Sequence, residues 1–112
     1  MPEKDQTLVR RTQAGERNAF GDLVEKYSPL VHGLILESIR QPDAVEDLVQ
    51  EVFCKAYEKL SHLRQPARFS AWLASIAANE AQDFLRRQQV RYRTERSGAL
   101  SLNDHRRLQD EL

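Results

Sequence analysis

A single cysteine, Cys54, stands in the 112 residues, so no disulfide can close within the chain, and a reducing compartment fits. Cys54 falls inside a helical pattern, where a small packing residue is expected rather than a nucleophile or a ligand. His32, His62 and His105 are scattered, with no metal-ligand spacing to it. There is no glycine-rich phosphate loop and no readable Ser/His/Asp arrangement. The longest aliphatic run, Leu34-Ile35-Leu36, is far short of a membrane span. The charged opening MPEKDQTLVRR has no apolar stretch of the signal-peptide kind. These absences argue for a cytoplasmic protein with no membrane role, no metal or other cofactor, and no enzymatic activity.

Net charge is also lacking, with 17 Lys and Arg against 17 Asp and Glu, but the signs are unevenly spread. Residues 1–60 hold 8 basic against 11 acidic side chains, whereas residues 61–97 hold 7 against 3. Neutrality of the whole therefore does not count against nucleic-acid binding; it implies two faces of opposite character. At 112 residues, with 40% hydrophobic and 30% charged residues, the chain suits one domain with one modest core.

What is present is helical periodicity. Asp5 is placed to N-cap a short first helix through Leu8 and Val9 to about Gln13, ended by Gly15. A longer helix follows from about Glu16, with Phe20, Leu23, Val24, Tyr27, Leu30, Val31, Leu34 and Ile35 on one face. Its apolar period stays in phase across Pro29, which predicts a kink near residues 26–28 rather than a stop. Gln41-Pro42-Asp43 separates it from a third helix, for which Asp43 and Glu46 form the start signature. Val45, Leu48, Val49, Val52, Phe53, Ala56, Tyr57 and Leu60 make the inner face of that helix, opposite Asp47, Gln50, Glu51, Cys54, Lys55 and Glu58. A glycine-free loop, SHLRQPAR over 61–68, is long for a helical hairpin turn.

The fourth helix, FSAWLASIAANEAQDFLRR from Phe69 and extending to about Arg93, does two jobs. Phe69, Trp72, Leu73, Ile76, Ala77, Phe84 and Leu85 form a core stripe, which assigns Trp72 to the core rather than to base stacking. Beside the stripe runs a polar line of Asn79, Asp83 and Arg86, and Arg86, Arg87, Arg91, Arg93 and Arg96 then crowd into eleven residues. A packed helix leading into such a cluster presents a polar and cationic edge to something anionic. The expected architecture is an all-α bundle of about four helices over residues 1–96, with a flexible linker or tail over 97–112.

The order of residues goes further. DAVEDLVQEVFCKAYEKL, a loop, and FSAWLASIAANEAQDFLRR resemble region 2 of the extracytoplasmic-function sigma factors, the small bacterial sigma subunits that direct RNA polymerase to promoters. LVRRTQAGERNAFGDLVEKYSPLV resembles their opening helices, down to the Ala-Phe pair and the Tyr-x-Pro. The resemblance spans about residues 5–95 and implies two interfaces. The first would set Asp47, Leu48, Gln50, Glu51, Phe53 and Lys55 against the clamp helices of the largest subunit of core RNA polymerase. Taken by itself, that acidic face is also what any solvated helix shows, and Phe53 sits on the apolar stripe.

The second interface would hold the melted, single-stranded non-template strand of the minus-ten promoter element. Its residues would be Ser61, His62, Leu63, Arg64, Gln65, Pro66 and Arg68 of the loop, with Asn79, Asp83, Arg86 and Arg87 on the helix edge. Asn and Asp suit base edges and arginines suit phosphates, although Asp83 could equally orient Arg86 or Arg87. Where many relatives carry a loop glycine this chain has RQPAR. The resemblance also leaves room for an anti-sigma factor as a further partner. A complete sigma of this kind carries a second, helix-turn-helix domain that nothing after Arg96 could form, so a chain trimmed at its C-terminal end is expected. The competing function is a helical interaction module that mimics sigma and regulates polymerase without reading DNA.

Overall fold

The computed structural model describes the backbone of residues 4–102 and the side chains of residues 4–94. Among the described residues the regular elements are four α-helices and two single 3₁₀ turns, with no strand. They are α1 (Asp5–Gln13), α2 (Arg17–Ile39), α3 (Pro42–Lys59) and α4 (Phe69–Leu102), the turns covering Leu60–His62 and Pro66–Arg68 between α3 and α4. The all-α expectation therefore holds. The described residues divide into two units between Ala81 and Gln82.

The first unit contains the core. Leu8 and Val9 of α1, Ala19, Phe20, Leu23, Val31, Ile35 and Ile39 of α2, and Val45, Leu48, Val52, Phe53 and Ala56 of α3 are buried. Phe69, Leu73, Ala77 and Ala81 add the α4 side. The Phe20 ring meets Phe53 edge-on at 6.4 Å and Tyr57 at 4.9 Å, tying α2 to α3. Tyr27 meets Phe69 edge-on at 5.5 Å, tying α2 to α4. Such ring pairs add modestly to the larger gain from apolar burial. Several residues expected in the core stripes lie further out: Leu30 is 47%, Tyr57 43% and Leu85 37% exposed, while Val24, Leu34, Val49, Ile76 and Trp72, the last beside Phe69, are half-buried. Cys54, expected as a packing residue, is exposed.

The ends of the helices follow from local chemistry, with corrections to the sequence reading. Gly15 takes φ +106°, a conformation a Cβ strains, and its N–H closes α1 on the Thr12 carbonyl. Asp5 does not cap α1; it is the first helical residue, and its carboxylate accepts from Lys26 Nζ at 2.6 Å and from the Tyr27 hydroxyl. A cation and a phenol outcompete the backbone N–H groups of its own first turn. α2 continues through Pro29 without ending. It ends at Ile39, where Arg40 turns left-handed at φ 53° and donates its N–H to the Leu36 carbonyl. Pro42 opens α3 rather than closing α2, because a proline at the first helical position gives up an N–H that would be unpaired there.

α4 runs to Leu102, past the end expected near Arg93. Its Arg, Gln, Glu, Ala and Leu content favours helix, and a lone glycine such as Gly98 costs only about 1 kcal/mol. Residues 103–112 of the expected tail lie outside the described residues.

Candidate functional site

The segment between α3 and α4 is built to expose polar side chains from a fixed backbone. Leu60 and Leu63 are buried and anchor the first turn, while Ser61 and His62 between them are exposed. Arg64, Gln65 and Arg68 are exposed too, and Pro66 is half-buried at the start of the second turn. Backbone bonds close each turn, Leu63 N–H to the Leu60 carbonyl at 3.0 Å and Arg68 N–H to the Gln65 carbonyl at 2.8 Å. Of the seven loop residues expected to meet DNA, Leu63 is thus an anchor by its burial, and the other six offer at least part of their surface.

Asn79 belongs to the same unit and is exposed on α4. Asp83, Arg86 and Arg87 belong to the second unit. There Arg86 Nη1 lies 3.6 Å from Asp83 Oδ1, both side chains being well exposed. At that distance the pair is an ion contact rather than a hydrogen bond, worth roughly a few tenths of a kcal/mol, so it does not fix the guanidinium. Arg87 lines a cavity of about 340 Å³ with Phe84, Gln88 and Arg91. An aromatic ring among guanidiniums is the composition that takes a base face and its phosphate.

The outer face of α3 presents Asp47, Gln50 and Glu51 to solvent, whereas Leu48 and Phe53 are buried in the core. Beside that face, between α2 and α3, an open groove of about 820 Å³ is floored by Phe20, Val24, Val49, Phe53 and Tyr57 and rimmed by Glu46, Gln50 and Glu58. Lys55, expected on the outer face, is half-buried and donates to Glu80 of α4.

Three arrangements escaped the sequence reading. Glu80, between Asn79 and the alanines of α4, is 2% exposed. Its phase on the apolar stripe was the signal that could have found it. Gln13, read only as the end of α1, donates from Nε2 to the carbonyls of Leu60 and Leu63, at 2.9 and 3.1 Å. No local pattern marks a contact 47 and 50 residues away. The Tyr27 hydroxyl is pushed up to about 12, by burial first and then by its bond to and proximity of the Asp5 carboxylate, with Ser70 opposing.

Comparison with known proteins bears on these faces. Residues 23–91 match the sigma-70 region 2 family. The chain is 41% identical over 83 residues to the RNA polymerase sigma-H factor of Pseudomonas aeruginosa, covering 74% of this chain and 43% of that one. It is 42% identical over 81 residues to the ECF RNA polymerase sigma-E factor of Escherichia coli K12, covering 72% and 42%. The chain thus spans less than half the length of these curated relatives. Among solved structures, an engineered region 2 of sigmaE in complex with GTAAAA superposes with TM-score 0.74 at 40% identity, covering 81% of this chain and 97% of that one. CnrH in complex with the cytosolic domain of CnrY gives 0.66 at 30% identity, covering 70% and 51%.

Proposed function

The chain belongs to the sigma-70 region 2 family, and on that premise we propose that it serves as the promoter-reading domain of an extracytoplasmic-function sigma factor. In this role it binds core RNA polymerase through the outer face of α3. It takes the melted non-template strand of the minus-ten element on the turns between α3 and α4 and on the polar residues of α4. The observation that carries the reading is the likeness, over 97% of that chain, to a sigmaE region 2 solved with the single strand GTAAAA.

The chemistry of the exposed groups supports it. His62, Arg64, Gln65 and Asn79 supply donors and acceptors suited to unpaired base edges, and Arg68, Arg86 and Arg87 supply charge for phosphates. Asp47, Gln50 and Glu51 suit a basic helical partner, such as the polymerase clamp helices. The similarity to CnrH, solved with the cytosolic domain of CnrY, supports a protein partner of the anti-sigma kind and a cytoplasmic site of action.

Two measurements on the purified chain test the proposal. Fluorescence anisotropy with labelled single-stranded GTAAAA, its scrambled sequence and the corresponding duplex is expected to rank the first above the other two, with affinity falling as salt rises. Co-migration with core RNA polymerase on gel filtration is expected as well. Co-migration without any preference among the DNAs would mean a sigma mimic that does not read DNA. Failure of both would remove the proposal.

A further inference from the structure

The turn that bears Ser61 and His62 is held from a helix that has no part in the DNA interface proposed above. Gln13 is the last residue of α1, and its side-chain amide donates to the carbonyls of Leu60 and Leu63, one at each end of the turn. The Leu60 carbonyl also accepts from the Leu63 N–H. At the end of α3 these carbonyls lack the intrahelical partners that a continuing helix would supply. Gln13 provides two donors from one planar group, which fixes both the distance and the orientation of the turn relative to α1. The buried side chains of Leu60 and Leu63 hold the same turn from its apolar side. α1 packs on both 3₁₀ turns. Its own C-terminus is secured by the Arg11 to Glu16 ion pair at 2.7 Å and by the Glu16 N–H on the Arg11 carbonyl at 3.0 Å.

We infer that Gln13 is a positioning residue for base selection: it touches no DNA, and sets the geometry of the turn whose side chains do. The inference rests on the DNA-reading proposal above. A short 3₁₀ turn has poor internal hydrogen-bond geometry and is readily remodelled, so an external clamp decides which conformation the exposed side chains start from. A preorganised reader loses less free energy on binding its preferred bases. Phosphate contacts tolerate displacement, because a guanidinium on a flexible stem can follow. Base-edge contacts do not, since they require alignment of donors and acceptors. Loosening the turn is therefore expected to lower discrimination more than affinity.

The experiment compares the parent chain with Gln13→Met, which keeps length and helix propensity but has no donor, and with Glu16→Ala. The second variant breaks the ion pair at the same helix end without touching the turn. Anisotropy is read with labelled single-stranded GTAAAA, each of its single-base variants and a scrambled hexamer, alongside thermal melting of each protein. The expected result is that Gln13→Met loses about tenfold in preference between the best and worst hexamers, one base contact's worth of discrimination. Its affinity for the scrambled hexamer is expected to stay as in the parent, and Glu16→Ala to keep the parental preference. An unchanged preference in Gln13→Met overturns the inference, and so does an equal loss in Glu16→Ala, which would mean general loosening of α1. If the parent itself shows no preference among the hexamers, the DNA-reading proposal falls, and the role of Gln13 falls with it.

Discussion

Lys55 of α3 donates to Glu80 of α4, a carboxylate only 2% exposed whose second oxygen has no hydrogen-bond partner among the described residues. The lysine is half-buried, so the pair is open on one side and closed on the other. A buried carboxylate is tolerated when a cation faces it, and removing that cation leaves a charge that must be desolvated without compensation. Lys55→Met is therefore expected to lower stability by about 3 kcal/mol, toward the small end for a broken buried pair because solvent reaches the site. Adding Glu80→Leu to Lys55→Met is expected to restore most of it, since apolar replacements of buried pairs are close to neutral. Urea denaturation of both variants checks this. A single variant as stable as the parent would mean that the pair contributes nothing.

The same pair joins the helix proposed to meet polymerase to the residue next to Asn79, which is proposed to meet DNA. A lysine placed by its sequence phase on an outer face thus acts as an internal strut.

A second expectation concerns alkaline pH. The Tyr27 hydroxyl is pushed from its ordinary value near 10 up to about 12, by burial and then by the Asp5 carboxylate. A folded value above the unfolded one means that the neutral phenol stabilises the fold. That contribution is fully present below about pH 10 and is lost as pH rises toward about 12. Asp5→Asn removes the charge and leaves burial, so the Tyr27 titration is expected to move down in pH. Ultraviolet absorbance titration, with Tyr27→Phe to assign the step, tests it. Identical curves for Asp5→Asn and the parent would separate Tyr27 from Asp5.

Two aromatics one turn apart are expected to differ in weight. Phe69 is 1% exposed and packs on Tyr27, whereas Trp72 is half-buried. Phe69→Ala is expected to cost about 3–5 kcal/mol and Trp72→Ala about half as much. Thermal melting of the two variants decides it, and a larger loss at Trp72 would contradict the burial order.

The helices were legible because burial repeats at helical spacing: Val45, Leu48, Val52, Phe53 and Ala56 are all buried on α3. Gly15 and the proline at 42 marked breaks for reasons of backbone geometry alone. What stayed illegible is long-range choice among polar partners. Asp5 suited an N-cap by local rules, yet a lysine and a tyrosine of α2 take it. Gln13 carries no periodic signal, and its partners are backbone carbonyls, which look alike in any sequence. The candidate DNA side chains were named from the family resemblance, with the positive balance of residues 61–97 supporting both the loop and α4, and helical phase supporting only those on α4. Their mutual arrangement depends on tertiary contacts that no local pattern encodes.

The outer face of α3 carries the polymerase expectation. Asp47, Gln50 and Glu51 are exposed there, so reversing one charge alters the surface and leaves the core alone. Glu51→Lys is expected to weaken binding to core RNA polymerase by about tenfold, chiefly by slowing association at low salt, with helicity and melting unchanged. A pull-down in which Glu51→Lys performs as the parent does would take this face out of the interface.

Two substitutions on α4 are expected to separate affinity from selectivity. Arg87 lines the cavity with Phe84, Gln88 and Arg91, a setting for a phosphate beside a stacked base. Arg87→Ala is therefore expected to weaken every single-stranded oligonucleotide by a similar factor, and to reduce the slope of log affinity against log salt by about one phosphate contact. Asn79 is exposed and neutral, with an amide that can pair donor and acceptor with a base edge. Asn79→Ala is expected to leave the salt slope alone and to compress the range of affinities across sequences, by about 1–3 kcal/mol at the position read. The two effects are checked by anisotropy over a salt series, then by initiation from a pre-melted promoter bubble with core polymerase. If both variants initiate as the parent does on every bubble sequence, α4 is not the reader. Recognition would then rest on His62, Arg64 and Gln65 in the turns, where substitution to alanine has to produce the loss that the α4 variants do not show.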